Sequence, residues 1–195
     1  MQKITNSVIL TIFLFSLYSC KKEKISPSTH PHIEVADPPK TEHAKLGETN
    51  KTVDKYKKFS GAWFDIEYPA TFTAENSLKS LTNAEGFDSA LFSSPDGKVQ
   101  FYVFSPQWSG EASDISVKPG ERIKETSEEK RNGLFVKRWT VEANDGSYRR
   151  SYEESSEKVS ETNKVFGIRY ATETDLKKYM EEYQHFKGSL KQYAD

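Results

Sequence analysis

The sequence predicts an α+β domain in which a C-terminal amphipathic helix packs on a mostly antiparallel sheet. Three observations predict it. Residues 59–195 contain runs of alternating apolar and polar side chains, short glycine-containing turns join several of these runs, and a period of three to four residues replaces the alternation near the C-terminus. Strands grouped in hairpins and followed by a helix are typical of the α+β class.

The first strand is expected at residues 63–68. Phe64, Ile66 and Tyr68 alternate there with more polar neighbours, and Pro69 ends the run. Because successive side chains of a strand point to opposite faces, this pattern indicates a strand with one buried face.

Two hairpins and a further strand follow. Each hairpin is indicated by a turn that ends in glycine, which supplies a positive φ at no steric cost. The first pairs residues 87–93 with 98–105 around Pro95-Asp96-Gly97, and the second pairs residues 134–142 with 147–153 around Asn144-Asp145-Gly146. The further strand contains Phe166, Ile168 and Tyr170 in alternation.

The C-terminal segment has helical periodicity. Thr172 and Asp175 resemble a capping box, and apolar residues then recur at helical spacing. These residues are Leu176, Tyr179, Met180, Tyr183, Phe186 and Leu190. A weaker helical pattern, based on Leu78 and Leu81, predicts a second helix within residues 74–84.

The N-terminus predicts export and lipid anchoring. The apolar run at residues 8–18 is too short to span a bilayer but has the length of a signal-peptide core. Leu17, Tyr18, Ser19 and Cys20 resemble the lipobox of bacterial lipoproteins, although Tyr18 is larger than usual. The resemblance implies that residues 1–19 are removed and that Cys20 carries the lipid. Lys21, where inner-membrane retention would use aspartate, favours the outer membrane.

The remaining chain divides into a tether and one domain. Residues 20–58 contain the lipidated cysteine and a proline-rich, weakly apolar stretch that predicts a disordered tether. Residues 21–58 carry a net charge of +3, whereas residues 59–195 carry −5. An acidic domain without a basic patch argues against nucleic acid as a partner. Cys20 is the only cysteine, so no internal disulfide can form.

The order of the elements resembles that of the PsbP and MOG1-like domain. The resemblance lies in FDIEYPATF, in the two hairpins, in VFGIRY and in the final helix, and it covers residues 59 to about 192. It is one of pattern and order. It implies an α+β fold but no particular activity, because a fold does not determine function.

Histidine and serine chemistry is sparse in the predicted domain. His30, His32 and His43 lie in the tether, and His185 lies in the terminal helix, so we predict no metal site and no cofactor. Two Ser-x-x-Lys matches, Ser127 with Lys130 and Ser155 with Lys158, lack the accompanying motifs of penicillin-recognising enzymes.

Two carboxylate pairs could serve a glycosidase if the fold brought them together. Alternation places Asp65 and Glu67 on a solvated strand face, and Glu153 and Glu154 on opposite faces. The favoured function is therefore a noncatalytic, membrane-anchored binding or accessory module of another envelope protein or polymer. The alternative is a hydrolase of envelope polymer or carbohydrate that uses carboxylates or a serine.

Trp108 is the one residue of the domain that the sequence singles out for a functional role. It lies in the loop 105–114, SPQWSGEASD, between small and polar residues. A tryptophan in a loop is a common contact anchor, which makes Trp108 a candidate partner contact. The competing interpretation is an indole that folds back to cover one end of the sheet.

Overall fold

The computed structural model describes residues 54–157 and 160–193. Cys20, the tether up to residue 53 and its three histidines lie outside these ranges. The described residues belong to one compact unit, Asn50–Asp195. None of their helices has the length and hydrophobicity of a membrane span.

Ten strands and three short helices are the regular elements of the described residues, in a sheet-dominated arrangement with antiparallel pairing that is consistent with the α+β class. In chain order they are β1 (Tyr56–Ser60), β2 (Phe64–Pro69), β3 (Thr73–Asn76), β4 (Ser89–Ser93), β5 (Val99–Phe104), a 3-10 turn (Ser113–Ile115), β6 (Glu121–Arg131), β7 (Leu134–Ala143), β8 (Arg149–Glu157), β9 (Thr162–Tyr170), α1 (Glu173–Lys178), α2 (Met180–Gly188) and β10 (Lys191–Gln192).

The strands form two sheets. A three-stranded sheet has the order β1-β2-β10, and a seven-stranded sheet has the order β3-β4-β5-β9-β8-β7-β6. Every pair of neighbouring strands is antiparallel. Both predicted hairpins are present, as β4-β5 and β7-β8, and Gly97 and Gly146 have φ of 67° and 72° in their turns.

The two faces of the seven-stranded sheet are covered differently. On one face, the ring of Phe186 from α2 lies 5.2 Å from the rings of Phe92 and Phe101. Phe64 and Ile66 of β2 join the same core. On the other face, Tyr102 and Phe104 pack with Ile115, which belongs to the segment between β5 and β6. This second face carries the site described below.

Three elements differ from the sequence expectations. The helix expected within residues 74–84 is wrong, because residues 73–76 form β3 and the following residues form a loop. The C-terminal helix is two helices separated at Tyr179, whose ring lies edge-on to Phe72 at 5.3 Å. The expected cap is present, since the Thr172 hydroxyl accepts a hydrogen bond from the Asp175 N–H.

Three further strands, β1, β6 and β10, fall outside the sequence expectations altogether. Strand β1 begins at Tyr56, three residues before the expected start of the domain. Strand β6 is eleven residues long and lies at the edge of the large sheet. Its turn to β7 contains Asn132 and Gly133, both with positive φ, and an Asn-Gly pair is a strong hairpin signal.

Candidate functional site

A cavity of about 260 Å³ lies between the loop after β5 and the loop between β3 and β4. We call it the Trp108 cavity. Its walls include Trp108, Leu81, Phe104, Pro106 and Asp88. The two loops are joined at its base, because the Ser105 N–H donates to the Asp88 carbonyl at 2.8 Å. The cavity therefore joins the predicted contact loop to a second loop distant in sequence.

Trp108 is 44% exposed. Its loop is fixed at both sides: the Ser105 bond holds one end, and Asn163 of β9 bonds both the N–H and the carbonyl of Gly110. Gly110 lies close to the Phe104 ring: a Cβ added at position 110 would be 3.2 Å from that ring. The indole is thus half exposed on a loop with two anchored ends.

Leu81 lies on the opposing loop and is 99% exposed. The Ser80 hydroxyl accepts hydrogen bonds from the Thr82 and Asn83 N–H groups, which forms a tight turn around Leu81. The indole N–H of Trp63 also donates to the Thr82 hydroxyl at 2.8 Å. These hydrogen bonds fix the turn so that the apolar side chain of Leu81 is exposed to solvent. The hydrophobic effect alone would favour burying that side chain.

Asp88 forms the polar part of the cavity wall and is only 6% exposed. Its Oδ1 atom has no hydrogen-bond partner among the described residues, and neither has the hydroxyl of the fully buried Ser105. Burial raises the pKa of Asp88, and hydrogen bonds from the Ser80 hydroxyl and the Leu81 N–H oppose that shift. A buried polar atom without a partner costs roughly 1–3 kcal/mol, so this arrangement needs an explanation.

The support behind Asp88 is a satisfied polar network. The neighbouring Ser89 hydroxyl accepts from the Leu78 N–H and donates to Asp114 at 2.7 Å. The hydroxyls of Ser77 and Tyr102 also donate to the Asp114 carboxylate at 2.7 Å. Burial, and then the negative charge of Asp114, raise the pKa of the Tyr102 hydroxyl. Three hydroxyl donors to one carboxylate hold this region rigid beside the unsatisfied Asp88.

Comparisons with known proteins give likenesses of structure. No protein-family model matches the chain, and no curated protein matches it. The chain is similar to the solution structure of cyanobacterial PsbP (CyanoP) from Synechocystis sp. PCC 6803. That likeness has a TM-score of 0.46 and 9% sequence identity, and it covers 76% of this chain and 99% of the other. Neither function nor site residues follow from a likeness of this extent.

Other cavities contain charged groups that are already paired. A cavity of about 370 Å³ beside α2 contains Glu153, which lies 2.7 Å from Arg138 and 3.0 Å from Lys187. Burial alone would raise the pKa of Glu153, but the hydrogen bonds from these two cations outweigh it and lower the pKa. Glu153 is therefore held as a paired carboxylate.

A cavity of about 300 Å³ on the other face contains the buried guanidinium of Arg150. Its five N–H groups donate to Glu121, to the carbonyls of Ile115 and Ser116, and to the Tyr152 hydroxyl. A guanidinium has five donors, so none remains for a ligand.

The carboxylates considered for hydrolysis do not converge. Asp65 lies 2.6 Å from Lys58 and accepts hydrogen bonds from Ser60 and Tyr193. The bonds from Lys58, Tyr193 and Ser60 lower the pKa of Asp65 to about 2. Glu67 contacts His185 at 2.8 Å, and Glu153 and Glu154 are adjacent residues of β8.

The remaining candidates also lie apart from the Trp108 cavity. Ser127 and Lys130 are exposed on β6, and Ser155 lies on β8, while Lys158 falls outside the described residues. His185 stacks on Tyr56 at 3.7 Å. No group of three or more metal-ligating side chains occurs in residues 54–157 and 160–193.

Sequence reasoning predicts Trp108 as a contact residue but does not single out Asp88 or Leu81. Asp88 stands between Phe87 and the apolar β4, and an acid beside an apolar strand is a weak signal. Its burial depends on β5 and on the loop 105–114, which approach it only in the folded chain. Leu81 was assigned to the apolar face of the helix that the structure lacks.

Proposed function

We propose that this protein is a lipid-anchored envelope protein that acts as a noncatalytic binding module, with the Trp108 cavity as its contact site. The observation that carries the binding role is the pair of Trp108 and Leu81, exposed on two facing loops over a cavity with an unsatisfied acid. A tryptophan exposed at the edge of a pocket is a typical anchor of protein contacts, and an exposed apolar side chain beside it adds area that a partner can bury.

The anchoring part of the proposal is supported by the sequence alone. The apolar run at residues 8–18 and the LYSC sequence ending at Cys20 resemble a lipoprotein signal. Two or three acyl chains on Cys20 would hold the protein at a membrane, for which the outer membrane is the proposed location. Its partner would be another envelope protein or polymer.

The noncatalytic part is supported by the pairing of the acidic residues. Asp65 and Glu153 are both held in ion pairs, and both have lowered pKa values. A glycosidase needs one carboxyl group that remains protonated near neutral pH. Asp65 and Glu153 therefore do not supply that group.

A site-specific crosslinking experiment tests the binding role. A photoreactive amino acid is placed at position 108 or, as a matched control, at position 123, because Ile123 is also exposed but lies on β6. The proposal expects a discrete crosslinked partner in native envelopes from position 108 only. Equal or absent crosslinking at the two positions would contradict it.

A further inference from the structure

We propose that the Trp108 cavity receives a basic side chain of a partner protein, with its apolar stem against Trp108 and its charged end at Asp88. The inference rests on the proposed function and deepens it by naming the chemistry of the partner. Three properties of the cavity support it.

The first property is size. At about 260 Å³ the cavity is smaller than the roughly 300–1,000 Å³ of pockets that hold drug-sized ligands. It has room for one side chain. Because Leu81 and Trp108 stand exposed beside it, the surface around that side chain can bury further apolar area of a partner.

The second property is the unsatisfied polar chemistry of the wall. In the wall, Asp88 Oδ1 is an acceptor without a partner among the described residues, and the hydroxyl of the fully buried Ser105, which adjoins the wall but does not line the cavity, is a second one. An ammonium group offers three donors and no acceptor, which matches these groups. A carboxylate in the same place would face Asp88 with like charge, and an apolar group would leave Oδ1 without a partner.

The third property is the balance of charge and aromatic surface. The charged residues of the cavity wall are Lys79, Asp88 and Glu111, so acids outnumber bases. The Lys79 ammonium lies 4.6 Å from the centre of the Phe87 ring. Within the cavity wall, the exposed indole of Trp108 offers an aromatic face, and tryptophan is the most favourable side chain for a cation.

A lysine and norleucine comparison tests the charge preference directly. The probes are N-acetyl-lysine N-methylamide and N-acetyl-norleucine N-methylamide, which differ in the ammonium group. Each is titrated into the purified full chain while the indole N–H signal of Trp108 is followed by NMR, with Trp108→Phe used to assign that signal. We expect the lysine probe to bind at least tenfold more tightly than the norleucine probe.

Variants and the pH dependence of binding then test whether Asp88 supplies the negative charge that the lysine probe recognises. Asp88→Asn should reduce the affinity for the lysine probe to that for norleucine, and Asp54→Asn, an exposed acid outside the cavity, should leave it unchanged. The affinity of the lysine probe should increase as pH rises through the pKa of Asp88, because only the ionised carboxylate pairs with an ammonium.

The outcomes separate this inference from the proposed function. Equal binding of the two probes, or an Asp88→Asn variant that still prefers lysine, would overturn the basic-side-chain assignment. Failure of both probes to bind would overturn it as well. In each of these cases, the proposed binding function would still hold if position 108 gave specific crosslinking. If position 108 gave no specific crosslinking, both the proposed function and this inference would be wrong.

Discussion

Arg150 of β8 and Glu121 at the start of β6 form an ion pair in which both side chains are buried, with 7% and 2% exposed. The Arg150 Nε donates to Glu121 at 2.9 Å, and the Tyr148 hydroxyl donates to the same carboxylate at 2.7 Å. The pair joins β8 to β6, the edge strand of the sheet, and Arg150 also donates to the carbonyls of Ile115 and Ser116, in the segment that carries the Trp108 loop.

Removing the charge of Glu121 should destabilise the fold strongly. Glu121→Gln leaves the Arg150 guanidinium buried without its counter-ion, and breaking a buried pair costs about 3–5 kcal/mol. Urea unfolding measures the change in free energy. Glu129→Gln is the control, because Glu129 is 54% exposed and lies 3.6 Å from Arg138. It should cost less than about 1 kcal/mol. Equal effects of the two variants would contradict the account.

The same pair predicts a loss of stability in acid. Burial alone would raise the pKa of Glu121, but hydrogen bonds from Arg150, the Lys118 N–H and Tyr148 outweigh it and lower the pKa from 4.5 to about 2. Since the folded pKa is lowered, the stability is present above pH 4.5 and is lost as pH falls toward 2. The loss should be about 3 kcal/mol. Urea unfolding of Glu121→Gln over the same pH range should therefore show a loss of stability that is smaller than that of the wild type by about this amount.

Asp88 should behave in the opposite way. Burial raises its pKa, so its ionisation at neutral pH destabilises the folded state. We expect Asp88→Asn to raise the free energy of unfolding by about 1 kcal/mol at pH 7. The difference should shrink as pH falls through the pKa of Asp88, because the wild-type carboxyl is then neutral as well. A variant less stable than wild type at pH 7 would show that Asp88 supports the fold.

The β6-β7 turn predicts a glycine requirement at position 133. Gly133 has φ of 84°, and a residue with a Cβ is strained there by about 1–2 kcal/mol. Gly133→Ala should lower stability by that amount. Gly188→Ala is the control, because Gly188 ends α2 and an added Cβ would meet no atom within 4 Å. Thermal unfolding distinguishes them, and similar behaviour of the two variants would count against the assigned turn.

The hairpins and the first strand could be predicted because their signals are local. Gly97 and Gly146 supply the positive φ that their turns need, and the alternation from Phe64 to Tyr68 reflects one buried face. Strand β6 could not be predicted from alternation, because Ile123 is its one strong apolar residue. Backbone hydrogen bonding to β7 stabilises this strand instead. Charged residues such as these are typical of edge strands.

The site could be predicted only in part. Trp108 is predicted as a contact because it lies in a loop of small and polar residues, where a tryptophan is a common contact anchor. Asp88 could not be identified, since its burial arises from the approach of Ser105 and Phe104, which are 17 and 16 residues away in the sequence. Leu81 was misassigned because its spacing from Leu78 fits a helix, whereas hydrogen bonds to the Ser80 hydroxyl form a turn.

The central claim is that Trp108 contacts a partner and does not cap the sheet. Because the indole is 44% exposed, we expect Trp108→Ala to change the free energy of unfolding by less than about 2 kcal/mol. An indole buried as a cap would cost about 3–5 kcal/mol. The same variant should weaken partner binding by about 2 kcal/mol or more.

The most direct measurement is the affinity of Trp108→Ala for the crosslinked partner, made on protein whose urea unfolding has been recorded. Ile123→Ala, which removes an exposed apolar side chain from β6, is the matched control. The account predicts a loss of at least tenfold in affinity for Trp108→Ala, none for Ile123→Ala, and near-native stability for both. Unchanged affinity of a stably folded Trp108→Ala would contradict it.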